Sequence, residues 1–205
     1  MQIDITTIQT LRAKTGAGIA DCKAVLEETG GDSAAAEKLL RERGTIKAAK
    51  RADKETNEGI VDSYIHAGGS IGALVMVTCE TDFVSRSDKF KALAHDIAAH
   101  IAASDPSYIR PEDIPAADLE REKEIMRNQL TNEGKPGEMI EKIMEGKLAA
   151  WYQEACLLKQ KFIKNEDISV EELIAEHVAS LGERIEIKRF TRFGLSGGNR
   201  SCGIM

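Results

Sequence analysis

A four-residue segment, Thr81-Asp82-Phe83-Val84, places a carboxylate beside a large aromatic ring where two predicted elements meet. Residues 71–79, just before it, are rich in Val, Met and Thr and predict a buried strand. After it, apolar side chains recur at helical spacing from Phe90 to Ile101, which predicts an amphipathic helix. Such a corner is held at both ends and exposed at its tip. It can therefore offer a ring that fills a partner's pocket and a charge that perturbs what lies beside it.

A purely structural role is the alternative for this segment. Asp82 can cap the following helix, because an Asp side chain accepts hydrogen bonds from the free amides of a first turn. Phe83 can fold back onto the core, as most aromatic side chains do. From spacing alone both interpretations stay open. Helix caps and core aromatics are commoner in proteins than side chains that anchor an interface.

The sequence gives little support for an enzyme. It contains no HExxH motif, no dinucleotide fingerprint and no Walker loop. Gly16-Ala17-Gly18 follows a predicted helix rather than a strand and lacks the further Gly and Lys of a phosphate loop. His95 and His100 lie on different faces of one helix, and the four cysteines form no CxxC pair. We therefore expect no catalytic residue, no cofactor and no metal site, and a protein that acts by binding.

Composition limits the remaining classes of protein. The chain has 205 residues, of which 42% are hydrophobic, and can form one main domain and a smaller one. Its net charge of -6 makes it a poor candidate for binding nucleic acid. We expect a soluble, cytoplasmic protein without contact to a membrane, because no apolar run can span a bilayer and the start does not resemble a signal peptide. Cys22, Cys79 and Cys156 fall within apolar patterns, which is typical of core residues in a reducing compartment.

Residues 1–45 predict a compact module of three short helices. Thr6 and Gln9 have the spacing of a capping box for the first helix. Asp32 caps the third helix, which we expect to end at Gly44. The apolar stripes of the first two helices are formed by Ile5, Ile8, Leu11, Ile19, Cys22, Val25 and Leu26.

A polar, helix-favouring linker is predicted over residues 46–57. One face of this linker is basic and consists of Lys47, Lys50, Arg51 and Lys54. A solvated surface is the commoner role of such a face, and docking of an acidic partner is the alternative.

Residues 58–195 predict an α+β core. Three strands over residues 59–66, 71–80 and 184–193 are expected to form an antiparallel sheet with helices on one side. Trp151 continues the apolar stripe of a helix that starts after Pro136, so we expect it to pack within the core or between helices. Residues 196–205 show no pattern and are expected to form a flexible tail, in which the role of Cys202 stays open.

Several groups of residues match one known family, in order, over most of the chain. They are Thr15-Gly16-Ala17-Gly18, Asp21-Cys22-Lys23, Leu26-Glu27, Lys47-Ala48-Ala49-Lys50, Glu80-Thr81-Asp82-Phe83-Val84 with Arg86, Gly134-Lys135-Pro136, Glu141-Lys142-Ile143, Glu145-Gly146, Leu157-Leu158, Gln160 and Phe162. On these residues the sequence closely resembles elongation factor Ts, the guanine-nucleotide exchange factor for elongation factor Tu. The resemblance favours a functional role for the corner at residues 81–84.

The resemblance implies an N-terminal three-helix module similar to ubiquitin-associated (UBA) domains, followed by a core with an antiparallel sheet. In this family both parts contact the G domain of elongation factor Tu. The aspartate and phenylalanine that Asp82 and Phe83 match enter that domain and disturb its magnesium and phosphate site, so that GDP leaves. The partner-binding residues implied here are Thr81, Asp82, Phe83 and Val84, with Lys23 and Val25 in the first module.

The sequence also departs from the family pattern. Lys161 follows Gln160 where many relatives have proline, and Ser85 follows the motif where alanine is usual. Longer members have a duplicated core and a helical-hairpin insertion, and we expect no room for either in this chain. A single copy of the core favours a symmetric homodimer, in which each chain supplies the half that longer relatives carry internally.

Overall fold

A computed structural model describes residues 3–134, 136–195 and 200–203. The α-helices in this part of the chain are α1 (Ile5–Thr15), α2 (Ile19–Glu28), α3 (Ser33–Ala49), α4 (Asp82–Ser85), α5 (Asp88–Ser104), α6 (Ala116–Asn132), α7 (Gly137–Ala155) and α8 (Val170–Leu181). The strands are β1 (Glu58–Ile65), β2 (Ile71–Cys79), β3 (Lys161–Phe162), β4 (Asn165–Ser169), β5 (Ile185–Gly194) and β6 (Arg200–Gly203). Helices combined with antiparallel strands confirm the predicted α+β class.

Helices α1 to α3 pack around a small core of their own. Its buried side chains are Ile8, Leu11, Cys22, Val25, Leu26 and Ala36. Asp32 caps α3 as predicted, and its carboxylate accepts hydrogen bonds from the amides of Ala34 and Ala35. The capping box predicted at Thr6 is wrong, because α1 starts at Ile5 and Asp4 occupies the cap position. Ile5 and Ile19 were expected in the apolar stripes, but both side chains are exposed.

Helix α3 does not end at Gly44 as predicted but continues to Ala49. Gly44 faces α8, where an added Cβ atom would lie at an ordinary contact distance of 3.5 Å from the Ala175 carbonyl oxygen. The packing of the two helices therefore outweighs the low helix propensity of glycine. Lys47, on the predicted basic face, forms an ion pair of 3.0 Å with Asp21 of the first module.

The main sheet is antiparallel with the strand order β1-β2-β5-β6. Its first three strands confirm the predicted sheet, and β6 is a fourth strand that the sequence did not predict. It lies within the predicted flexible tail, of which residues 196–199 and 204–205 fall outside the described part. Helices α5 and α8 pack against one face of the sheet. The apolar residues predicted to face inward from α5 are all buried there: Phe90, Leu93, Ala94, Ile97 and Ile101.

Helices α6 and α7 form a helical hairpin with its own small apolar cluster. Met126 and Leu130 of α6 pack with Met144 of α7, and Trp151 lies against this cluster. Packing between helices, one of the two roles predicted for Trp151, is thus confirmed. The expectation that the chain has no room for a helical hairpin is wrong. We expected to find such a hairpin only as an insertion in longer relatives, whereas here residues 116–155 of the single core form one.

A buried polar network joins this hairpin to α5. The Nε2 atom of His100 lies 2.9 Å from the Oε1 atom of Gln160, and its Nδ1 atom accepts a hydrogen bond from the Ile163 amide. The Gln160 amide group donates to the carbonyl oxygens of Ser104, at 3.3 Å, and Glu154, at 2.6 Å. Burial lowers the pKa of His100, against the opposing effect of the Gln160 hydrogen bond, so the neutral ring is favoured.

Candidate partner-binding site

The predicted corner lies between β2 and α5, and its residues form the single-turn helix α4. Thr81 is the residue before this turn and has an extended backbone, with φ -128° and ψ 157°. Asp82 is the first residue of the turn, so the predicted cap role for Asp82 is wrong. The next helix, α5, is capped by Ser87, whose hydroxyl oxygen accepts a hydrogen bond from the Phe90 amide at 3.3 Å. The corner is therefore held between two regular elements.

The side chains of the turn point in different directions. Phe83 is 84% exposed, so the interpretation in which its ring folds back onto the core is wrong. Val84 is half-buried and packs against the main core, which anchors the turn. Asp82 forms an ion pair of 3.1 Å with Arg86, and 43% of the Asp82 side chain stays exposed. The structure thus offers a ring and a carboxylate together at the surface.

Two carboxylates hold the base of the corner. The Thr81 amide and hydroxyl donate hydrogen bonds to Glu183, at 2.9 Å and 2.6 Å. Glu80 accepts hydrogen bonds from the Arg184 amide, at 2.6 Å, and from the Arg51 guanidinium, at 2.7 Å. Burial acts to raise the pKa of Glu80, but these two contacts outweigh it and hold the pKa below its usual range. Glu80 is therefore a stable acceptor at neutral pH.

The two residues predicted in the first module differ in accessibility. Lys23 is exposed and lies 3.8 Å from Glu27 one turn later on α2. Such an exposed pair contributes little to stability, so the Lys23 ammonium is available to a partner. Val25 is fully buried in the core of its own module. The structure gives the Val25 side chain a packing role and does not offer it to a partner.

Within residues 3–134, 136–195 and 200–203, no cluster of His, Cys, Asp and Glu side chains is placed to hold a metal ion. Gly194-Leu195-Ser196-Gly197-Gly198 has the spacing of the GxSxG nucleophile motif, which the sequence search overlooked. That motif requires a strand followed directly by a helix, whereas the next described element after β5 is the strand β6. Ser196 itself lies outside the described residues.

A second exposed surface lies on the face of the sheet opposite α5. Val61 and Ile65 of β1, Leu74 of β2 and Phe193 of β5 are exposed there. Ile65 and Phe193 flank Gly72 in the strand register, which leaves a shallow cavity of about 510 Å³. We call these four apolar residues the sheet-face patch. Among the described residues, every helix is too short or too polar to span a bilayer.

Comparison with known proteins identifies the family. The model of the family described as Elongation factor TS matches residues 31–198, which is more than half of the chain. The chain belongs to the elongation factor Ts family. The matched range includes the corner at Thr81-Asp82-Phe83-Val84 and the acceptors Glu80 and Glu183. Members of this family are translation elongation factors, which act in protein biosynthesis.

Individual relatives agree with the family match. Elongation factor Ts of Carboxydothermus hydrogenoformans is 51% identical over 191 residues, covering 93% of this chain and 88% of the relative. The protein of the same name from Koribacter versatilis is 53% identical over 193 residues, covering 94% and 88%. That from Herpetosiphon aurantiacus is 46% identical over 193 residues, covering 94% and 98%. The similarity to elongation factor Ts thus extends over nearly the whole chain.

Sequence analysis did not single out Glu183, although its carboxylate accepts both hydrogen bonds that Thr81 donates. The residue directly follows Gly182, which ends α8, and precedes the last strand of the core. Its partner is 102 positions away in the chain. No local pattern can reveal such a contact, and the only signal was a pair of charged residues at an element boundary.

Proposed function

We propose that the chain is a guanine-nucleotide exchange factor that binds elongation factor Tu in its GDP form and promotes release of GDP, so that GTP can bind. The observation that carries the proposal is the 84% exposure of Phe83 beside Asp82 at a corner fixed by β2 and α5, in a chain of the elongation factor Ts family. Interface anchors are enriched in aromatic side chains, so an exposed ring on a fixed corner is suited to fill a pocket of a partner.

The chemistry of nucleotide binding explains how such a corner could act. GDP is held by the backbone amides of a phosphate loop and by a bridging Mg²⁺ ion. These charge-assisted contacts together contribute roughly several kcal/mol, so displacing the loop or the ion speeds dissociation strongly. The Phe83 ring supplies the apolar contact that displaces neighbouring groups, and the Asp82 carboxylate supplies a charge that disturbs the metal site. This mechanism needs neither a catalytic residue nor a cofactor in the exchange factor.

Linkage gives the proposal a second consequence. If the chain weakens the binding of nucleotide to elongation factor Tu, then nucleotide must weaken the binding of the chain to elongation factor Tu by the same factor. Addition of GTP or GDP is therefore expected to dissociate the complex with elongation factor Tu. A module that only docks on its partner, with a structural corner, predicts instead a complex whose affinity does not depend on nucleotide.

The test is the release of fluorescently labelled GDP from purified elongation factor Tu after addition of excess unlabelled GDP. We expect the chain to raise the release rate in proportion to its concentration until saturation. A second measurement follows the complex by gel filtration with and without free nucleotide. An unchanged release rate, or a complex that nucleotide does not affect, contradicts the exchange function.

The proposal also assigns a role to each part of the chain. We propose residues 1–45 as a UBA-like module that contacts the G domain through a surface including Lys23, residues 46–57 as the linker, and residues 58–195 as the core. The separate apolar cluster of α1 to α3 supports this division. Translation takes place in the cytoplasm, where we place the chain, and the acidic net charge of -6 agrees with a protein partner rather than nucleic acid.

We also propose that two copies of the chain associate through the sheet-face patch. Residues Val61, Ile65, Leu74 and Phe193 expose neighbouring apolar groups on one face, and monomeric proteins seldom leave such a patch uncovered. A two-fold axis through the patch would place the same residues of both copies against each other.

The substitution Leu74→Lys tests this dimer. Leu74 lies between Ser63 and Thr191 in the strand register, and a lysine there places two like charges near the axis. We expect the dimer to weaken at least roughly a hundredfold, because like charges opposed at an interface cost several kcal/mol. The measurement is sedimentation velocity over a range of concentrations. Ile125→Lys on α6 is the control, because Ile125 is 43% exposed and Leu74 is 45% exposed. A wild-type chain that stays monomeric throughout excludes the dimer.

A further inference from the structure

The base of the corner is fastened to a distant part of the chain. Both polar donors of Thr81 are directed to one carboxylate, with the amide 2.9 Å from Oε2 and the hydroxyl 2.6 Å from Oε1 of Glu183. A carboxylate that takes two donors of one residue fixes both the position and the rotation of that residue. Thr81 is therefore held from outside its own element.

A second set of contacts runs in the opposite direction. Arg184 follows Glu183 in the chain, and its amide donates a hydrogen bond of 2.6 Å to Glu80, which precedes Thr81. Each of the two segments therefore supplies both a donor and an acceptor to the other. The Arg51 guanidinium, which belongs to the predicted linker, donates to the same oxygen of Glu80 at 2.7 Å. Arg184 also donates from its guanidinium to the carbonyl oxygen of Lys54. Three segments of the chain thus meet directly beneath the turn that carries Asp82 and Phe83.

The turn needs this external support. Helix α4 has four residues, and an isolated helix of that length is unstable because nucleation is unfavourable. The packing of Val84 on the core holds one side of the turn. The contacts of Thr81 with Glu183 hold the other side, at the point where the chain leaves β2 and before it reaches Asp82.

We propose that Glu183 is a positioning residue for nucleotide exchange, which acts through Thr81 by fixing the direction in which Asp82 and Phe83 leave the corner. This inference depends on the proposed exchange function. Without Glu183, the Thr81 amide and hydroxyl donate hydrogen bonds to water instead, and helix α4 samples several orientations. Docking by the rest of the chain is retained, but fewer encounters place the ring where it displaces the phosphate loop.

The substitution Glu183→Ala tests the proposal in the GDP-release assay with elongation factor Tu. We expect the maximal rate at saturating exchange factor to fall about tenfold, since small misplacements of an acting group are costly. The concentration that gives half of the maximal rate should change little. Glu183→Gln should retain most of the rate, because the amide oxygen can accept from the Thr81 amide while its NH₂ group donates to the Thr81 hydroxyl oxygen.

Two further variants separate positioning from a general loss of structure. Thr81→Val removes the hydroxyl donor alone. Adding it to Glu183→Ala should cause no further loss, because Glu183→Ala has already removed the contact of that hydroxyl. Glu171→Ala is the matched control, since Glu171 lies at the opposite end of α8 in an exposed ion pair of 2.7 Å with Lys159. We expect it to leave the release rate unchanged. Thermal unfolding shows whether each variant is folded. If Glu183→Ala does not fold, Thr81→Val replaces it in the GDP-release assay.

The outcomes distinguish this inference from the function on which it depends. The positioning role is overturned if Glu183→Ala reaches the wild-type maximal rate in an assay in which Phe83→Ala has lost activity. That result does not contradict the exchange function. A change only in the half-saturating concentration also overturns the positioning role, because that result indicates direct docking. Wild-type activity in Phe83→Ala removes the exchange mechanism itself.

Discussion

Replacing Phe83 by alanine is expected to remove most of the GDP-release activity and to leave the fold intact. The ring is 84% exposed, so its loss creates no cavity, and surface substitutions usually change stability by less than about 0.5 kcal/mol. Truncation of an aromatic anchor at the centre of an interface costs about 2 to 4 kcal/mol. The release rate at limiting concentration should therefore fall by a factor of roughly 30 to 1000.

The control for Phe83→Ala is Leu195→Ala. Leu195 is 86% exposed, nearly the same as Phe83, and lies after β5 rather than at the corner. Both variants should unfold at the wild-type temperature, and only Phe83→Ala should lose the GDP-release activity. Equal acceleration of GDP release by Phe83→Ala and wild type would show that the ring takes no part in exchange.

The elements that flank the corner were predictable because each has a strong period. Residues 71–79 form β2 as predicted, and the apolar positions from Phe90 to Ile101 are buried in α5 as predicted. The direction of Phe83 was not predictable, because an aromatic side chain at an element boundary can turn inward or outward without any change in spacing. Recognition of the family motif favoured the outward direction, and the exposure of Phe83 agrees with it.

Other errors have a common physical cause, which is packing between distant residues. Gly44 is a poor helix former, yet α3 passes through it because α8 lies against it. The strands β3, β4 and β6 were missed because they have two, five and four residues, too few to show a clear period. The contact of Thr81 with Glu183 has no local signature at all. Sequence therefore predicts the elements that carry the site better than the contacts that fix its geometry.

Substitution of Gln160 by leucine is expected to cause the largest loss of stability among these variants. The Gln160 side chain is buried, and its NH₂ group donates to the carbonyl oxygens of Ser104, in the last position of α5, and Glu154, in the last turn of α7. Such terminal carbonyls have no partner within their own helix. Its Oε1 atom also pairs with the buried Nε2 atom of His100. Leucine fills a similar volume but offers none of these contacts.

We expect the free energy of unfolding of Gln160→Leu to fall by about 3 to 5 kcal/mol, because three buried polar groups lose a partner and each costs about 1 to 3 kcal/mol. The measurement is urea denaturation followed by circular dichroism. Gln153→Leu, at an exposed glutamine of α7, is the control and should change stability by less than about 0.5 kcal/mol. Equal stability of the two variants would mean that water replaces the Gln160 side chain in this network. A selective loss would show that this motif residue is required for the fold, since it joins α5 to the helical hairpin.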